Sequence, residues 1–323
     1  MVKLNASVHP SLSERITENL RRKNVVTVVD FVSTDPIKLT NFTGLSHTDV
    51  LQVKQHILKN FSAAKRNAAQ LFAIERSHVI PTNVTCLDEL LRGGLYPGQL
   101  CELCGPSASG KTQLCLTIAA NVASQSNAVV WYFDTKKDFS RLRYEGIMRA
   151  RNFGQKIIED ALCSTKVCQA RSSGELIRAM RRLVTLCKQE QNSVSFEGRK
   201  VLLVIIDSLP AIIFKVTRNV QQSDFETTYE LDDLAEVCRF LTRECQAVVI
   251  TVNTVTRWDS PGQTDDITPA LGKHWARMPA TRLLITRRHG EIRRINVWKD
   301  LRLIENSFCT VTVSDIGITS YKS

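Results

Sequence analysis

The sequence predicts an α/β protein: a small all-helical N-terminal domain, then a P-loop core built on a mostly parallel sheet. Three observations carry this. Apolar residues recur at helical spacing through residues 11–60. From residue 76 onward, short apolar runs alternate with helical stretches, which is the grammar of a parallel sheet covered on both faces. Between the first such run and the helix after it stands an eight-residue loop of the phosphate-binding pattern. The 323 residues accommodate a core of about two hundred residues or more beside a smaller domain.

In the N-terminal part, Leu12, Ile16 and Leu20 fall on one helical face, and Val50, Val53, Ile57 and Leu58 on another. Asp35-Pro36 is a helix start, because the carboxylate accepts from first-turn amides and proline gives up an N–H that has no partner there. Phe42-Thr43-Gly44-Leu45-Ser46 is a tight turn before the last of these helices. Residues 62–70, rich in alanine and short polar groups, read as a linker. The expected organisation is a helical N-terminal domain over 1–60, a linker over 61–75 and the P-loop core over 76–323.

Within the core, the runs 100–104, 129–133, 201–206 and 247–252 show little polar alternation and predict strands buried on both faces. Helices are expected over 112–123 and 174–189. For the second, Ser172 and Glu175 form a capping box, and Ile177, Met180, Val184 and Cys187 make the inner face. After Ala276 the short runs 283–286, 295–298 and 309–313 predict antiparallel strands that extend the sheet.

Lys and Arg number 43 against 32 Asp and Glu, a net charge of +11 that favours polyanionic partners, either nucleic acid or a membrane surface. No apolar run approaches the roughly 18 residues of a membrane span, and residues 1–22 lack the apolar stretch of a secretory signal. A soluble, intracellular protein with no membrane partner is expected. The ten cysteines are scattered through apolar surroundings and read as reduced small hydrophobes rather than a disulfide framework. Cys101 and Cys104 make one Cys-x-x-Cys, but without the second ligand pair that zinc requires they read as part of a strand.

Gly105-Pro106-Ser107-Ala108-Ser109-Gly110-Lys111-Thr112 fits G-x-x-x-x-G-K-[ST] at every position. In such a loop successive backbone N–H groups converge on phosphates, and the helix that follows adds the positive end of its dipole. Lys111 is the candidate cation for the β and γ phosphates, and the Thr112 hydroxyl the candidate ligand of Mg²⁺. ATP with magnesium is the expected cofactor. The chemistry also needs a carboxylate at the end of a neighbouring strand, and the run 201–206 leads into Asp207, the candidate for the magnesium shell. Strands ending in Asp are common in α/β proteins; the P-loop beside it gives this one its meaning.

Further segments carry a resemblance. They are Val28-Val29-Asp30-Phe31-Val32 and Thr43-Gly44-Leu45-Ser46 in the small domain, and Leu87-Asp88-Glu89-Leu90-Leu91 with Gly93-Gly94-Leu95-Tyr96-Pro97-Gly98 before the P-loop. Beyond it come Ala119-Ala120-Asn121-Val122-Ala123, Pro269-Ala270-Leu271-Gly272-Lys273, Trp275 and Pro279-Ala280-Thr281-Arg282. Together, over residues 12–286, the chain resembles the RecA-type recombinases and, within them, the eukaryotic recombinase paralogues, most of all the D-type. The resemblance implies a RecA-like core that binds ATP and a role in homologous recombination DNA repair in the nucleus. The partners it implies are other recombinase paralogues in a hetero-oligomer, and single-stranded or branched DNA. It also implies that Asn253 is the polar sensor between the γ-phosphate and the second DNA loop; taken alone, the residue reads equally as a strand-end Asn satisfying turn backbone.

Active recombinases of this kind end the strand after the P-loop helix in Asp-Thr-Glu, whose Glu prepares the attacking water. Here the segment is Asp134-Thr135-Lys136-Lys137. A lysine of ordinary pKa, about 10.4, is protonated at neutral pH and cannot act as the base. The expectation is an assembly subunit that is a weak DNA-dependent ATPase at most. Its rival is a DNA-stimulated ATPase that catalyses strand pairing with a base from elsewhere. A small-molecule kinase is disfavoured, since no lid-like arginine segment is present.

By the same resemblance the DNA loops correspond to residues 210–234 and 254–276. Both are mixed in charge: Lys215 and Arg218 stand against Asp224, Glu226 and Glu230, and Arg257 and Lys273 against Asp259, Asp265 and Asp266. Trp258, Trp275 and Phe214 have two readings, stacking on unpaired bases or filling the core. The basic excess lies in residues 136–182 and in Arg287-Arg288-His289-Gly290-Glu291-Ile292-Arg293-Arg294. The latter reads as a hairpin with its turn at His289-Gly290, gripping phosphate or an acidic partner, or simply solvated. The Gly44 turn resembles a helix-hairpin-helix, with Arg21, Arg22 and Lys23 on a helix of the same domain. Phe61-Ser62-Ala63-Ala64 has the Phe-x-x-Ala spacing by which recombinases dock on a neighbour's core, a pointer to assembly.

Overall fold

The computed structural model describes residues 2–61, 67–192, 200–217, 224–257 and 267–321. They divide into two compact units, Met1–Leu71 and Phe72–Ser323. In the first, helices α1 (Glu14–Arg22), α2 (Val28–Ser33), α3 (Pro36–Thr43) and α4 (His47–Phe61) surround a core that includes Leu12, Leu20, Phe31, Leu39, Val50, Val53 and Ile57. Helix α3 starts on Asp35, whose carboxylate accepts from the amide of Ile37 at 2.7 Å, and ends at Gly44, where φ is +71°. Leu58, expected on the inner face, is 48% exposed. Val50, Val53 and Ile57 already complete the i, i+3, i+7 stripe, so the next residue turns about 100° away. Helix α5 (Ala68–Ser77) occupies much of the stretch expected as linker and buries none of its residues. Its alanines favour a helix without a core to pack on.

The second unit follows the predicted alternation. Its strands are β1 (Leu100–Cys104), β2 (Ala128–Asp134), β3 (Thr165–Gln169), β4 (Lys200–Asp207), β5 (Val248–Val252), β6 (Val255–Arg257), β7 (Ile267–Pro269), β8 (Thr281–Arg287), β9 (Ile292–Lys299), β10 (Phe308–Ser314) and β11 (Gly317–Ser320). Its helices are α6 (Thr85–Leu90), α7 (Lys111–Ala123), α8 (Arg141–Ala150), α9 (Gln155–Ser164), α10 (Ser173–Asn192), α11 (Pro210–Thr217), α12 (Asp224–Arg243) and α13 (Gly272–Ala276). The main sheet runs β11-β10-β9-β8-β1-β5-β4-β2-β3, parallel from β8 to β3 and antiparallel from β8 through β11.

Strand alternation sends one set of apolar side chains to each face. On β5, Val248, Ile250 and Val252 join α6 to α9, whereas Val249 joins α10 to α12. On β4 the alternation breaks once: Leu202 and Leu203 both pack on the α7 side, where the pairing with β2 skips a residue between Val129 and Val130. A bulge is what two successive residues on one face require. Helix α10 is capped as a variant of the expected box: Ser172 Oγ accepts from the Glu175 amide at 3.2 Å, but the Glu175 carboxylate returns to the amide of Arg171 at 2.8 Å. Ile177, Met180 and Cys187 are buried on its inner face, with Val184 partly so.

Candidate nucleotide-binding site

The phosphate loop leaves the central strand β1 and enters α7, so it sits at the carboxyl edge of the sheet, where α/β proteins place their ligands. Gly105 has φ +155°, and a Cβ there would lie 2.3 Å from the carbonyl oxygen of Ile285 on β8. No other residue fits. Gly110 caps α7 at φ +103°. Lys111 is buried beneath the loop, with its Nζ donating to the carbonyls of Gly105 at 2.8 Å and Pro106 at 2.6 Å and to Ser109 Oγ at 3.3 Å. Burial, and then the like charge of Lys136, hold its pKa down at about 8.

Asp207 closes β4 directly opposite. Its Oδ2 accepts from the Thr112 hydroxyl at 2.7 Å and from the Tyr132 hydroxyl at 3.0 Å. Its Oδ1 is buried with no hydrogen-bond partner among the described residues, and Lys136 Nζ stands 4.0 Å from it. A buried carboxylate oxygen left open beside a threonine hydroxyl is the hard-oxygen donor set that magnesium accepts. The sequence motif did not reveal Tyr132, which lies mid-strand in an apolar run; burial and the Asp207 charge push its hydroxyl well above the usual range.

The segment after β2 is built by Asp134. Its buried carboxylate accepts from four successive amides, Lys136 at 3.2 Å, Lys137 at 2.8 Å, Asp138 at 3.1 Å and Phe139 at 3.1 Å. Those bonds make Asp134 a structural cap rather than a free base. Thr135 Oγ1 meanwhile accepts from the Ser208 amide and donates to the Ser208 carbonyl, each at 2.7 Å, which clamps the ends of β2 and β4 together. Lys136 and Asp138 both face a cavity of about 430 Å³ whose floor is the phosphate loop; Asn253 and Arg293 complete its walls.

Asn253 belongs to a buried polar chain. Its amide nitrogen donates to Glu102 Oε1 at 2.9 Å, and its carbonyl oxygen accepts from the Thr254 amide at 2.8 Å. The fully buried Glu102, on β1, also accepts from Trp275 Nε1 at 2.8 Å and from the guanidinium of Arg282 on β8. Asn253 thus satisfies turn backbone at the strand end, and it also lines the cavity. Trp275 is core, not a stacking platform. Glu102 was not singled out from the sequence, and Arg282 only as part of the segment 279–282, although a Glu inside the run Leu100–Cys104 already demands a buried counter-charge.

The expected basic hairpin forms between β8 and β9, but its arginines part company. Arg287 and Arg288 are exposed, Arg294 lies 3.6 Å above the Phe308 ring, and Arg293 turns inward to the phosphate cavity. The four do not make one surface patch. Phe214 is 40% exposed on a neighbouring cavity of about 740 Å³ that also carries Lys136, Lys137 and Arg171. Cys101 and Cys104 are buried, and burial pushes both thiols up, Cys101 to about 12. Ser62, Ala63, Ala64, Arg218, Trp258, Asp259, Asp265 and Asp266 lie outside the described residues, as do the side chains of Lys215, Asp224, Glu226 and Arg257. No helix among the described residues is long and apolar enough to cross a membrane.

Comparison with known proteins agrees with this architecture. The Rad51 family model matches residues 75–321, and the model of the RAD51D N-terminal domain matches residues 1–59. "DNA repair protein RAD51 homolog 4" of Bos taurus is 28% identical over 99% of this chain and 97% of its own length. Its namesake in Mus musculus is 29% identical over 87% of this chain and 84% of its own. The crystal structure of the RadB recombinase superposes with a TM-score of 0.59 at 23% identity, covering 76% of this chain and 100% of that one, which shows a RecA-like fold. The chain belongs to the Rad51 family and is a RecA-type recombinase paralogue of the D type.

Proposed function

We propose that this protein is an ATP-binding recombinase paralogue of homologous recombination DNA repair. It acts in the nucleus as a nucleotide-gated subunit that joins other paralogues and, with them, engages single-stranded or branched DNA. Residues 1–60 serve as the helical domain, 61–75 as the connection and 76–323 as the ATP-binding core. The observation that carries this reading is Lys136: a cation faces the phosphate cavity, 4.0 Å from Asp207, in a site otherwise built for nucleotide. The names of the relatives, all repair proteins, support the same role.

In this reading the backbone N–H groups of Gly105, Ser107, Ala108, Ser109, Gly110, Lys111 and Thr112 surround the phosphates, with the Lys111 ammonium among them, while Pro106, which has no N–H, shapes the loop. Thr112 and Asp207 hold magnesium, which supplies charge neutralisation to the triphosphate. Asn253 senses the γ-phosphate end and passes its state to Trp275, on the second-loop helix α13, through Glu102. Asp134 is fully engaged with backbone and Lys136 brings no carboxylate, so neither activates water; the cationic side chain of Lys136 favours keeping the triphosphate. The competing reading, a DNA-stimulated ATPase, is favoured by Asp138, whose carboxylate lies on the same cavity wall.

ATP turnover by the purified chain, with and without single-stranded DNA, separates the two. Binding without appreciable turnover is expected, slower than an active recombinase by about 10² to 10⁴. Lys136→Glu should raise the rate and Lys111→Ala should weaken Mg-ATP binding. Robust DNA-stimulated hydrolysis by the wild type, lost in both Lys111→Ala and Asp138→Asn, would establish the ATPase instead.

A further inference from the structure

We propose that Arg293 is a phosphate ligand of the bound nucleotide, a cation delivered to the P-loop by the β8–β9 hairpin; this rests on reading the cavity as the ATP site. Arg293 stands three residues beyond the turn at Gly290, among arginines that face solvent, yet it is only 6% exposed. Alternation on β9 accounts for this. Arg293, Ile295 and Val297 form one buried row on the face that packs against α7, while Arg294 turns the other way onto Phe308.

The row ends at the phosphate loop. A Cβ placed on Gly110 would lie 3.7 Å from both Cγ and Nε of Arg293, so the guanidinium lies alongside the loop where it enters α7. Its Nη1 donates to the carbonyls of Gly290 at 2.9 Å and Ile292 at 3.0 Å, and Nη2 stands 3.8 Å from the exposed carboxylate of Glu291. Nε is buried without a hydrogen-bond partner among the described residues. A buried cationic donor with no acceptor is unfavourable, and the group that would satisfy it here must be reached from the cavity it lines. Lys111 and Lys136 face the same space, so three cations surround it against Asp138 and the buried Asp207. Such a cavity selects an anion of several charges, and a planar guanidinium suits a phosphate oxygen better than a point-charge ammonium does. The two bonds to Gly290 and Ile292 fix the fork before the ligand arrives, which removes the ordering cost of a long side chain.

The test is equilibrium binding of Mg-ATP to the full chain carrying Arg293→Gln or Arg293→Lys, with the melting temperature of each nucleotide-free variant measured alongside. Arg293→Gln should keep a melting temperature close to the wild type and lose ATP affinity by about 10- to 100-fold. Arg293→Lys should recover part of that loss. If Arg293→Gln binds ATP as the wild type does while Lys111→Ala does not, the nucleotide site stands and Arg293 is only a staple of its own turn. If Arg293→Gln fails to fold, Arg293→Lys decides: weakened binding supports the assignment and wild-type affinity overturns it. Wild-type affinity in Lys111→Ala as well would overturn the ATP site itself, and this inference with it.

Discussion

ATP binding should weaken steeply between pH 7 and pH 9, because its principal cation titrates there. Lys111 has a pKa of about 8 in the free protein, held down first by burial and then by the charge of Lys136. A bound triphosphate favours the charged ammonium, so the pKa rises on binding and a proton is taken up. The sign follows: affinity is greatest where Lys111 is already charged, below pH 8, and is lost as pH rises through 8. With a pKa of about 8, roughly nine tenths of the molecules are competent at pH 7 and one tenth at pH 9, a rise of about tenfold in apparent Kd. Lys136→Gln removes the like charge and returns Lys111 toward its ordinary range, so the same fall should begin at higher pH, whatever the variant's absolute affinity. Calorimetric titration at pH 7, 8 and 9, in buffers of different ionisation enthalpy, measures both the affinity and the protons absorbed. A pH-independent Kd with no proton uptake in the wild type would refute the linkage, and an unshifted profile in Lys136→Gln would remove Lys136 from its cause.

Glu102→Gln should destabilise the core by about 3–5 kcal/mol, since it strips the counter-ion from the buried Arg282 guanidinium. Thermal unfolding should show this as a fall of roughly 6–20 °C in Tm; a fall of under about 2 °C would mean that the pair is not held as described. DNA affinity should drop as salt rises, and Arg287→Ser with Arg288→Ser should flatten that slope, whereas Arg294→Ser, which leaves the Phe308 face, should leave it nearly unchanged. Equal effects from all three substitutions, read by titrating a labelled single strand, would argue that the hairpin acts as one patch.

What the sequence made legible follows from how each element is buried. Strands β1, β2, β4 and β5 are central, covered on both faces, and so appear as apolar runs broken only by Glu102 in β1 and Thr251 in β5 before β4 ends in Asp207 and β2 in Asp134. Strand β3, Thr165–Gln169, escaped notice because it is the sheet edge, with Lys166, Val167 and Gln169 exposed and no run to see. Strand β11 is only four residues long. The phosphate loop was readable because its glycines are fixed, Gly105 by its close approach to Ile285 and Gly110 by its positive φ, and its lysine by the loop carbonyls around it. Asp207 was readable by position, but its bond to Tyr132 was not, since a tyrosine in an apolar strand gives no sign of what its hydroxyl meets. Arg293 was concealed by its neighbours. Counting charge along Arg287 to Arg294 suggested a patch, whereas counting every second residue, Arg293, Ile295 and Val297, would have shown an inward row.

The four amides gathered by Asp134 have a consequence for the side chain they surround. The turn over 134–139 is fixed by that carboxylate, by the Thr135–Ser208 clamp and by Phe139 packed edge-on to Tyr132 at 5.0 Å. Among the described residues the Lys136 side chain makes no hydrogen bond within this turn; its ammonium faces Asp207 at 4.0 Å. A charge facing the cavity can therefore be reversed at this one position while the backbone stays where it is. On the proposed reading, a subunit that turns over its nucleotide and one that only holds it can share this turn and differ at the side chain of residue 136.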